Sequence, residues 1–127
     1  MTRRRNISSN NPFEEEFGYS RAVRVGDHVH VAGTCARPPH DEGGTYEQSA
    51  AVLDIIAAAL SEAGASLNDV VRTVVYVTDI SDMKEVARAH NERFAEVKPA
   101  STLVQVAALG RPQLRVEIEA YAILTEG

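Results

Sequence analysis

The segment 70–78, VVRTVVYVT, limits the possible folds of this chain more than any other segment. Its β-branched residues are typical of a strand, in which successive side chains point to opposite faces. One face carries Val71, Val75 and Val77, and the other carries Val70, Val74 and Tyr76. Because both faces are apolar, the segment is predicted to lie in the middle of a sheet that is covered on both sides.

Turn residues and helical periodicity divide the chain before this strand into a hairpin and a helix. Residues 20–25 and 28–33 alternate as strands, with Gly26 and Asp27 between them as the turn. A loop rich in proline and glycine follows. The next helix is predicted to begin at Thr45, because Thr45 and Gln48 fit a capping box, and to end at Gly64. Its apolar stripe comprises Val52, Ile55, Ile56, Ala59, Leu60 and Ala63.

A second helix and two strands complete the predicted fold. The helix begins at Ser81 or Asp82 and stops before Pro99. Its apolar stripe comprises Met83, Val86, Ala87, His90, Phe94 and Val97. Strands over 102–107 and 114–124 follow, so the predicted order is ββαβαββ, an α+β fold. Two helices cover one face of such a sheet, and we expect the other face to pack against further copies of the chain.

Composition indicates an ordinary globular domain. The 127 residues are 44% hydrophobic and 24% charged, and the longest apolar run, residues 55–60, is too short to cross a bilayer. Residues 1–17 start basic without an apolar core behind them, so they are predicted to form a flexible tail before a single domain over 18–127. We expect a cytoplasmic protein. The net charge of −5 argues against nucleic acid as a partner.

Four polar sites are candidates for chemistry. His28 and His30 share one strand face at a spacing suited to a metal, but no third ligand is evident, so no metal site is expected. His90 lies on an apolar helix stripe, as a hydrogen-bonded core or interface residue or as a catalyst. Cys35 follows a strand end, where it is either a small inert thiol or a nucleophile whose pKa Arg37 lowers.

The last candidate is a pair of carboxylates. Glu117 and Glu119 fall on one face of the last strand, where adjacent acids can separate their pKa values and act as acid and base. Arg115 on the same face offers a purely structural explanation, and the residues alone leave both interpretations open.

Three segments together resemble the RidA family, also called YjgF or L-PSP. They are GYSRAVRVGDHVHVAG, GASLNDVVRTVVYVTDI and the closing VEIEAYA, in the family's order and spacing from residue 18 to 124. The resemblance implies a chorismate-mutase-like α+β fold and a homotrimer whose sheets form a central barrel with clefts between subunits. It also implies hydrolysis of small reactive enamines or imines to a carbonyl compound and ammonia, without a cofactor.

The resemblance further assigns positions in the cleft. Tyr19 matches the family's pocket tyrosine, Gly33 the glycine that donates its backbone N–H, and Glu119 the glutamate that positions water. It places Cys35 at the cleft mouth, and His90 and Thr102 beside the substrate. At Ser101 typical members carry an arginine that binds the substrate carboxylate in a bidentate grip.

This chain departs from the family pattern around the expected substrate. Ser101 replaces the arginine, and Leu103 replaces a cysteine two positions later. The family's serine before the glycine is Ala32 here, and its helix asparagine falls at Ala87. Losing a bidentate pair costs roughly 10² to 10⁴ in binding a small anion, so standard 2-imino acids are poor candidate substrates.

Three functions are therefore compared. The first is a RidA-like hydrolase of another small imine or enamine, with Glu119 directing water and Ser101, Thr102 and Leu103 forming a less charged wall. The alternative is a trimer of the same fold that binds a metabolite without converting it. An endoribonuclease is the least favoured, because the chain is acidic and has no basic patch with interleaved aromatic residues.

Overall fold

A computed structural model describes residues 3–125 as one six-stranded sheet with two long helices. The strands are β1 (Arg4–Ile7), β2 (Ala22–Val25), β3 (His28–Thr34), β4 (Val70–Val77), β5 (Ala100–Gln105) and β6 (Val116–Ile123), and the helices are α1 (Pro12–Phe17), α2 (Thr45–Glu62) and α3 (Met83–Phe94). The sheet order is β1-β2-β3-β6-β4-β5, in which only β4 and β5 run parallel. The α+β fold expected from the sequence is confirmed.

Both long helices lie on one face of the sheet. On that face Thr73, Val75 and Val77 of β4 are buried, while Val74 and Tyr76 on the opposite face are only half-buried. The apolar residues buried on α2 are Val52, Leu53, Ile56, Ala59 and Leu60. The strand with two apolar faces thus lies inside the sheet, between β6 and the edge strand β5, and one chain covers only one of those faces. Packing of the open face against further copies stays a prediction.

The segment expected to be a flexible tail instead carries two elements. Residues of β1 pair antiparallel with β2, and Ile7 is buried opposite Ala22. Helix α1 begins after Asn11, whose side chain accepts from the Phe13 N–H, and ends at Gly18 in the left-handed conformation. The order of strands and main helices is therefore βαββαβαββ. Residues 1 and 2 of the expected tail lie outside the described residues.

Helix α2 begins at Thr45 as predicted, but the predicted capping box does not form. Thr45 is the first helical residue after Gly44, and its hydroxyl donates to Asp82 Oδ2 at 2.7 Å instead of capping its own helix. Gln48 Nε2 donates to three backbone carbonyls, including that of Gln113 at 3.0 Å. Both side chains therefore connect α2 to distant segments, which local spacing cannot reveal.

The ends of other predicted elements differ by about two residues from the structure. The strands expected over 102–107 and 114–124 are Ala100–Gln105 and Val116–Ile123. Gly64 adopts the left-handed conformation just after α2, as its position predicts. On α3 the predicted stripe is only partly confirmed, because Val86 and Phe94 are buried but Met83 is 47% exposed. None of the helices in residues 3–125 is both long and apolar enough to cross a membrane.

Candidate functional site

The residues expected to share one site, Thr102 excepted, line three separate cavities of the chain. The N-terminal cavity, of about 910 Å³, lies between α1, the end of β3 and the loop at Gly110–Arg111. The open-face groove, of about 600 Å³, lies on the helix-free face of the sheet around Glu119. The α3 cavity, of about 440 Å³, lies between α3 and β5 on the other face. All three volumes fall within the range of small-molecule sites.

The N-terminal cavity brings together Tyr19, Gly33 and Cys35, three of the residues predicted for the site. Arg21, which is 4% exposed, connects the first two. Its Nη2 donates to the Tyr19 hydroxyl at 2.7 Å, and its Nη1 donates to the Gly33 carbonyl at 2.8 Å and to Thr34 Oγ1 at 2.9 Å. Because the tyrosine oxygen accepts from a guanidinium, its own O–H remains available to donate into the cavity.

Cys35 and Glu117 form a second contact in this cavity. The thiol donates to Glu117 Oε1 at 3.3 Å. Burial, reinforced by the neighbouring carboxylate, raises the pKa of Cys35 from 9.0 to about 12. The thiol therefore stays protonated near neutral pH and acts as a hydrogen-bond donor, which is the inert alternative of the two that the sequence left open.

Gly33 lies against the same carboxylate. A Cβ atom added to Gly33 would overlap Glu117 Oε2, so the absence of a side chain lets the carboxylate pack on the backbone. The pairing of β3 with β6 shifts register between Val31 and Thr34, which includes Gly33. Such bulges take backbone groups out of the regular ladder and aim them elsewhere.

Glu119 lies in the open-face groove next to this cavity. The Tyr76 hydroxyl donates to Glu119 Oε1 at 3.1 Å. Burial and the hydrogen bond to Glu119 raise the pKa of Tyr76, so this hydroxyl remains a donor that orients the carboxylate. Tyr19 and Ala32 line both the groove and the N-terminal cavity. The two cavities are therefore adjacent, with the carboxylates of β6 at successive positions along them.

Ser101, Leu103 and His90 lie elsewhere, in the α3 cavity. Thr73 Oγ1 donates to Ser101 Oγ at 2.8 Å and lies 2.9 Å from His90 Nε2. Burial lowers the pKa of His90, which favours the neutral imidazole. The ring packs on Phe94 with centroids 4.6 Å apart. His90 is thus a hydrogen-bonded residue of a largely apolar wall.

The sheet separates this group from the predicted water-handling acid. Ser101 pairs with Thr73, whose side chain is buried on the helix face. Glu119 pairs with Val74 on the open face, and so does Thr102. Within one chain, therefore, Ser101 and Glu119 face opposite sides of the sheet, and Thr102 faces the same side as Glu119.

Two important residues were missed or undervalued by the sequence interpretation. Arg21 was not proposed as a site residue, because an arginine beside a strand is normally exposed and only the tertiary contacts bury this one. Glu117 was considered only as a partner of Glu119, whereas it forms its own contact with Cys35.

The predicted histidine pair occupies the open face. His28 Nδ1 makes a hydrogen bond with the Tyr121 hydroxyl, and His30 packs on the Tyr121 ring with centroids 4.6 Å apart. Residues 3–125 contain no group of three side chains from His, Cys, Asp and Glu arranged to hold a metal ion.

Comparison with known proteins places these features in a family. The chain matches the family described as Endoribonuclease L-PSP over residues 10–124. It is 41% identical over 108 residues to a RutC family protein of Pyrococcus abyssi, which covers 82% of this chain and 84% of that protein. It is 34% identical over 109 residues to the human 2-iminobutanoate/2-iminopropanoate deaminase, covering 83% of this chain and 79% of the human protein.

Solved structures agree with the sequence matches. A Mycobacterium tuberculosis member of the YjgF family superposes with a TM-score of 0.91 at 45% identity, covering 96% of this chain and all 100% of that one. A YjgF family protein of Neisseria meningitidis superposes with a TM-score of 0.83 at 27% identity, covering 98% of each chain.

Proposed function

This chain belongs to the RidA/YjgF/L-PSP family, and from that membership we propose that it is a cofactor-independent hydrolase of small imines or enamines. The observation that supports it most is the position of Glu119. Its carboxylate is oriented by the Tyr76 hydroxyl and borders a groove that adjoins Tyr19 and Gly33. The human deaminase, at 34% identity, acts by its name on compounds of this class.

The residues have complementary roles in the proposed reaction. Glu119 accepts a proton from a water molecule as its oxygen attacks the carbon of the C=N bond. Tyr19, polarised by Arg21, donates a hydrogen bond to the nitrogen, which takes up protons as the C–N bond breaks. Glu119 passes this first proton to the nitrogen as water adds, and then carries the proton of the new hydroxyl group to the nitrogen as the C–N bond breaks. One imine and one water thus give one carbonyl compound and one ammonia.

A trimer completes the proposed site. Ser101, Leu103 and His90 face away from Glu119 in their own chain, so they reach a substrate only in the cleft of a neighbouring copy. The half-buried face of the sheet around Val74 and Tyr76 is the surface we expect at the trimer interface. A stable monomer in analytical ultracentrifugation at micromolar concentration would remove this shared cleft.

The substrate is proposed to differ from the standard small 2-imino acids. The Ser101 hydroxyl already accepts from Thr73 and offers one donor, whereas a guanidinium offers a planar fork matched to a carboxylate. The α3 cavity around it is lined mostly by apolar side chains, including Leu103 and Phe94. This wall suits an apolar part of the substrate better than its carboxylate.

Turnover distinguishes the hydrolase from a binding protein of the same architecture. Imines would be generated in place by an amino-acid oxidase, and release of ammonia and carbonyl product would be followed with and without the protein. A ligand that stabilises the protein in a thermal-shift screen but is never converted would favour the binding trimer. The acidic net charge of −5 gives no support to RNA as the substrate.

A further inference from the structure

Three arginines of this acidic chain converge on the N-terminal cavity. They are Arg21, Arg37 and Arg111. Arg21 is buried at 4% exposure, and its terminal nitrogens already bind Tyr19, Gly33 and Thr34. It therefore positions the wall of the cavity, and the two remaining guanidiniums are the ones that a ligand can meet.

Arg111 is fixed in place while facing solvent. Its Nη1 donates to Asp41 Oδ2 at 2.9 Å, and its Nη2 lies 3.3 Å from the Ala36 carbonyl. Asp41 is itself buried, and Gln113 Nε2 also donates to it at 3.3 Å. The Arg111 side chain nevertheless remains 45% exposed. A guanidinium that is fixed by contacts on one side keeps some of its five N–H donors for a ligand. It also loses little conformational freedom on binding.

Arg37 lines the same cavity, and neighbouring carboxylates compensate its positive charge less than that of Arg111. Its Nη2 donates to Ser9 Oγ at 2.6 Å, and Ser9 in turn donates to Glu14. Among residues 3–125, no carboxylate forms a salt bridge with Arg37. A half-buried cation without a direct carboxylate partner favours an anion in the adjoining space.

The other walls of the cavity add an orientation and an apolar surface. Glu117 lines the cavity as a carboxylate and repels an anion, so a negative group is directed toward Arg37 and Arg111. Phe13 and Phe17 are 51% and 72% exposed and stack with ring centroids 5.5 Å apart. Exposed stacked rings at the edge of a cavity mark a surface that an apolar group can cover.

We propose that the N-terminal cavity recognises an anionic substrate with a bulky apolar or aromatic body, whose carboxylate is bound by Arg111 and Arg37. This inference rests on the proposed function for the statement that the ligand is a substrate. The apolar body covers Phe13 and Phe17, and the reacting carbon lies toward Tyr19. Within one chain the carboxylate anchor therefore lies in a different cavity from Ser101.

The volume of the cavity favours the larger members of this class of anionic substrates. At about 910 Å³ it is several times larger than a three- or four-carbon acid, which would leave the aromatic wall uncovered. An aromatic oxo acid, which is the product class of the corresponding imine, fills more of it and keeps the carboxylate at the arginines.

The test is calorimetric binding of phenylpyruvate to the whole protein. Two matched probes separate its parts, since 1-phenylpropan-2-one lacks the carboxylate and pyruvate lacks the aromatic body. We expect each to bind at least 10-fold more weakly than phenylpyruvate. Arg111→Gln and Arg37→Gln should each weaken phenylpyruvate about 10- to 100-fold, because each removes hydrogen bonds from a charged donor.

Arg88→Gln is the matched control, because it removes one positive charge at an exposed position on α3 that is not part of this cavity. It should bind phenylpyruvate like the parent. Arg111→Gln also leaves the buried Asp41 without its ion-pair partner and can unfold the protein. In that case Arg37→Gln and Arg111→Lys test the anion site. Arg111→Lys keeps the positive charge but loses the planar fork of the guanidinium.

Failure of this inference is distinguishable from failure of the proposed function. Equal binding of phenylpyruvate and 1-phenylpropan-2-one, or parent-like binding by both arginine variants, overturns the anion site whether or not imines are hydrolysed. Arginine-dependent binding in a protein that never releases ammonia supports the site and removes the hydrolase.

Discussion

The N-terminal cavity and the α3 cavity differ in what their walls are made of, although both contain residues expected in one family site. The first holds the buried Arg21 guanidinium, which donates to Tyr19 and Gly33, and a half-buried thiol and carboxylate that bond to each other. The second is lined mostly by apolar side chains, together with Asn91, Lys98, hydroxyl groups from Thr73 to Ser101, and His90, whose pKa burial lowers.

This difference separates two tasks of a small-molecule site. Groups that handle charge must be held in place by further polar contacts, since an unpaired buried donor or acceptor costs about 1 to 3 kcal/mol. An apolar wall requires only a complementary shape. Packing on residues such as the fully buried Phe94 sets that shape. The comparison predicts that changes among the polar groups of the N-terminal cavity and the adjoining groove affect reaction rate and the binding of charged groups, and that changes in the α3 cavity affect which apolar groups are accepted.

The largest expected effect is at Glu119. Glu119→Gln keeps the size of the side chain and can still accept from Tyr76, but the amide cannot accept a proton from water. We expect imine hydrolysis to fall by about 10² to 10⁴ while ligand binding is retained. Tyr76→Phe is the matched control, since it removes only the orienting hydroxyl and should cost about 10-fold or less. Equal turnover by parent and Glu119→Gln would exclude this residue as the base.

The next effect is at Arg21, which organises the polar wall. Arg21→Met removes the donor to the Tyr19 hydroxyl, the Gly33 carbonyl and Thr34 Oγ1 together. We expect the free energy of unfolding to fall by about 2 to 4 kcal/mol, because one buried and two half-buried acceptors lose their partner. Denaturant unfolding measures this change. Arg24→Met is the control, as that guanidinium binds backbone carbonyls outside the cavity, and a loss no larger than the control's would contradict the role of Arg21.

A smaller gain is expected in the α3 cavity. Ser101→Arg introduces a fork where the family's typical carboxylate anchor stands, so binding of pyruvate should improve by about 10-fold. Full activity need not follow, since Ala32 and Ala87 also lack polar groups and the long side chain meets Leu103 and His90. Ser101→Gln controls for size without charge. If the parent already binds pyruvate as tightly as Ser101→Arg does, the assignment of this wall to an apolar group is wrong.

The smallest effect concerns the thiol. With its pKa raised to about 12 from 9.0, Cys35 favours the folded state fully below the unfolded pKa near 9, and this contribution is lost as pH rises toward 12. Alkylation by iodoacetamide should therefore be slow at pH 8. Glu117→Gln removes the neighbouring carboxylate, so the thiol pKa should fall, although burial, the larger cause, still keeps it above 9.0. Cys35→Ser is the blank, as the chain has one cysteine.

Local patterns were sufficient for the elements that carry their own periodicity. The hairpin at Gly26, helix α2, helix α3 and the strand 70–78 all follow from alternation, helical stripes and turn residues, which depend on neighbours within a few positions. The family also follows from the sequence, because it is carried by segments whose order and spacing are visible along the chain.

Contacts between distant segments could not be predicted in this way. Strand β1 exists because Ile7 is buried when it pairs with β2, and four residues are too short to show a periodicity of their own. Likewise Thr45 and Gln48 fit a local capping pattern, but their hydrogen bonds go to Asp82 and Gln113.

The candidate site shows the same division most clearly. Residue types named Cys35 and Glu119 as candidates, the family resemblance added Tyr19 and Gly33, and all four line two adjacent cavities. Ser101 and Thr102 were treated as one polar pair, yet neighbouring residues of a strand point to opposite faces. Only tertiary packing decided which of those faces the helices cover and that Arg21 reaches both Tyr19 and Gly33. The energy of these contacts depends on segments that meet only after the sheet has formed.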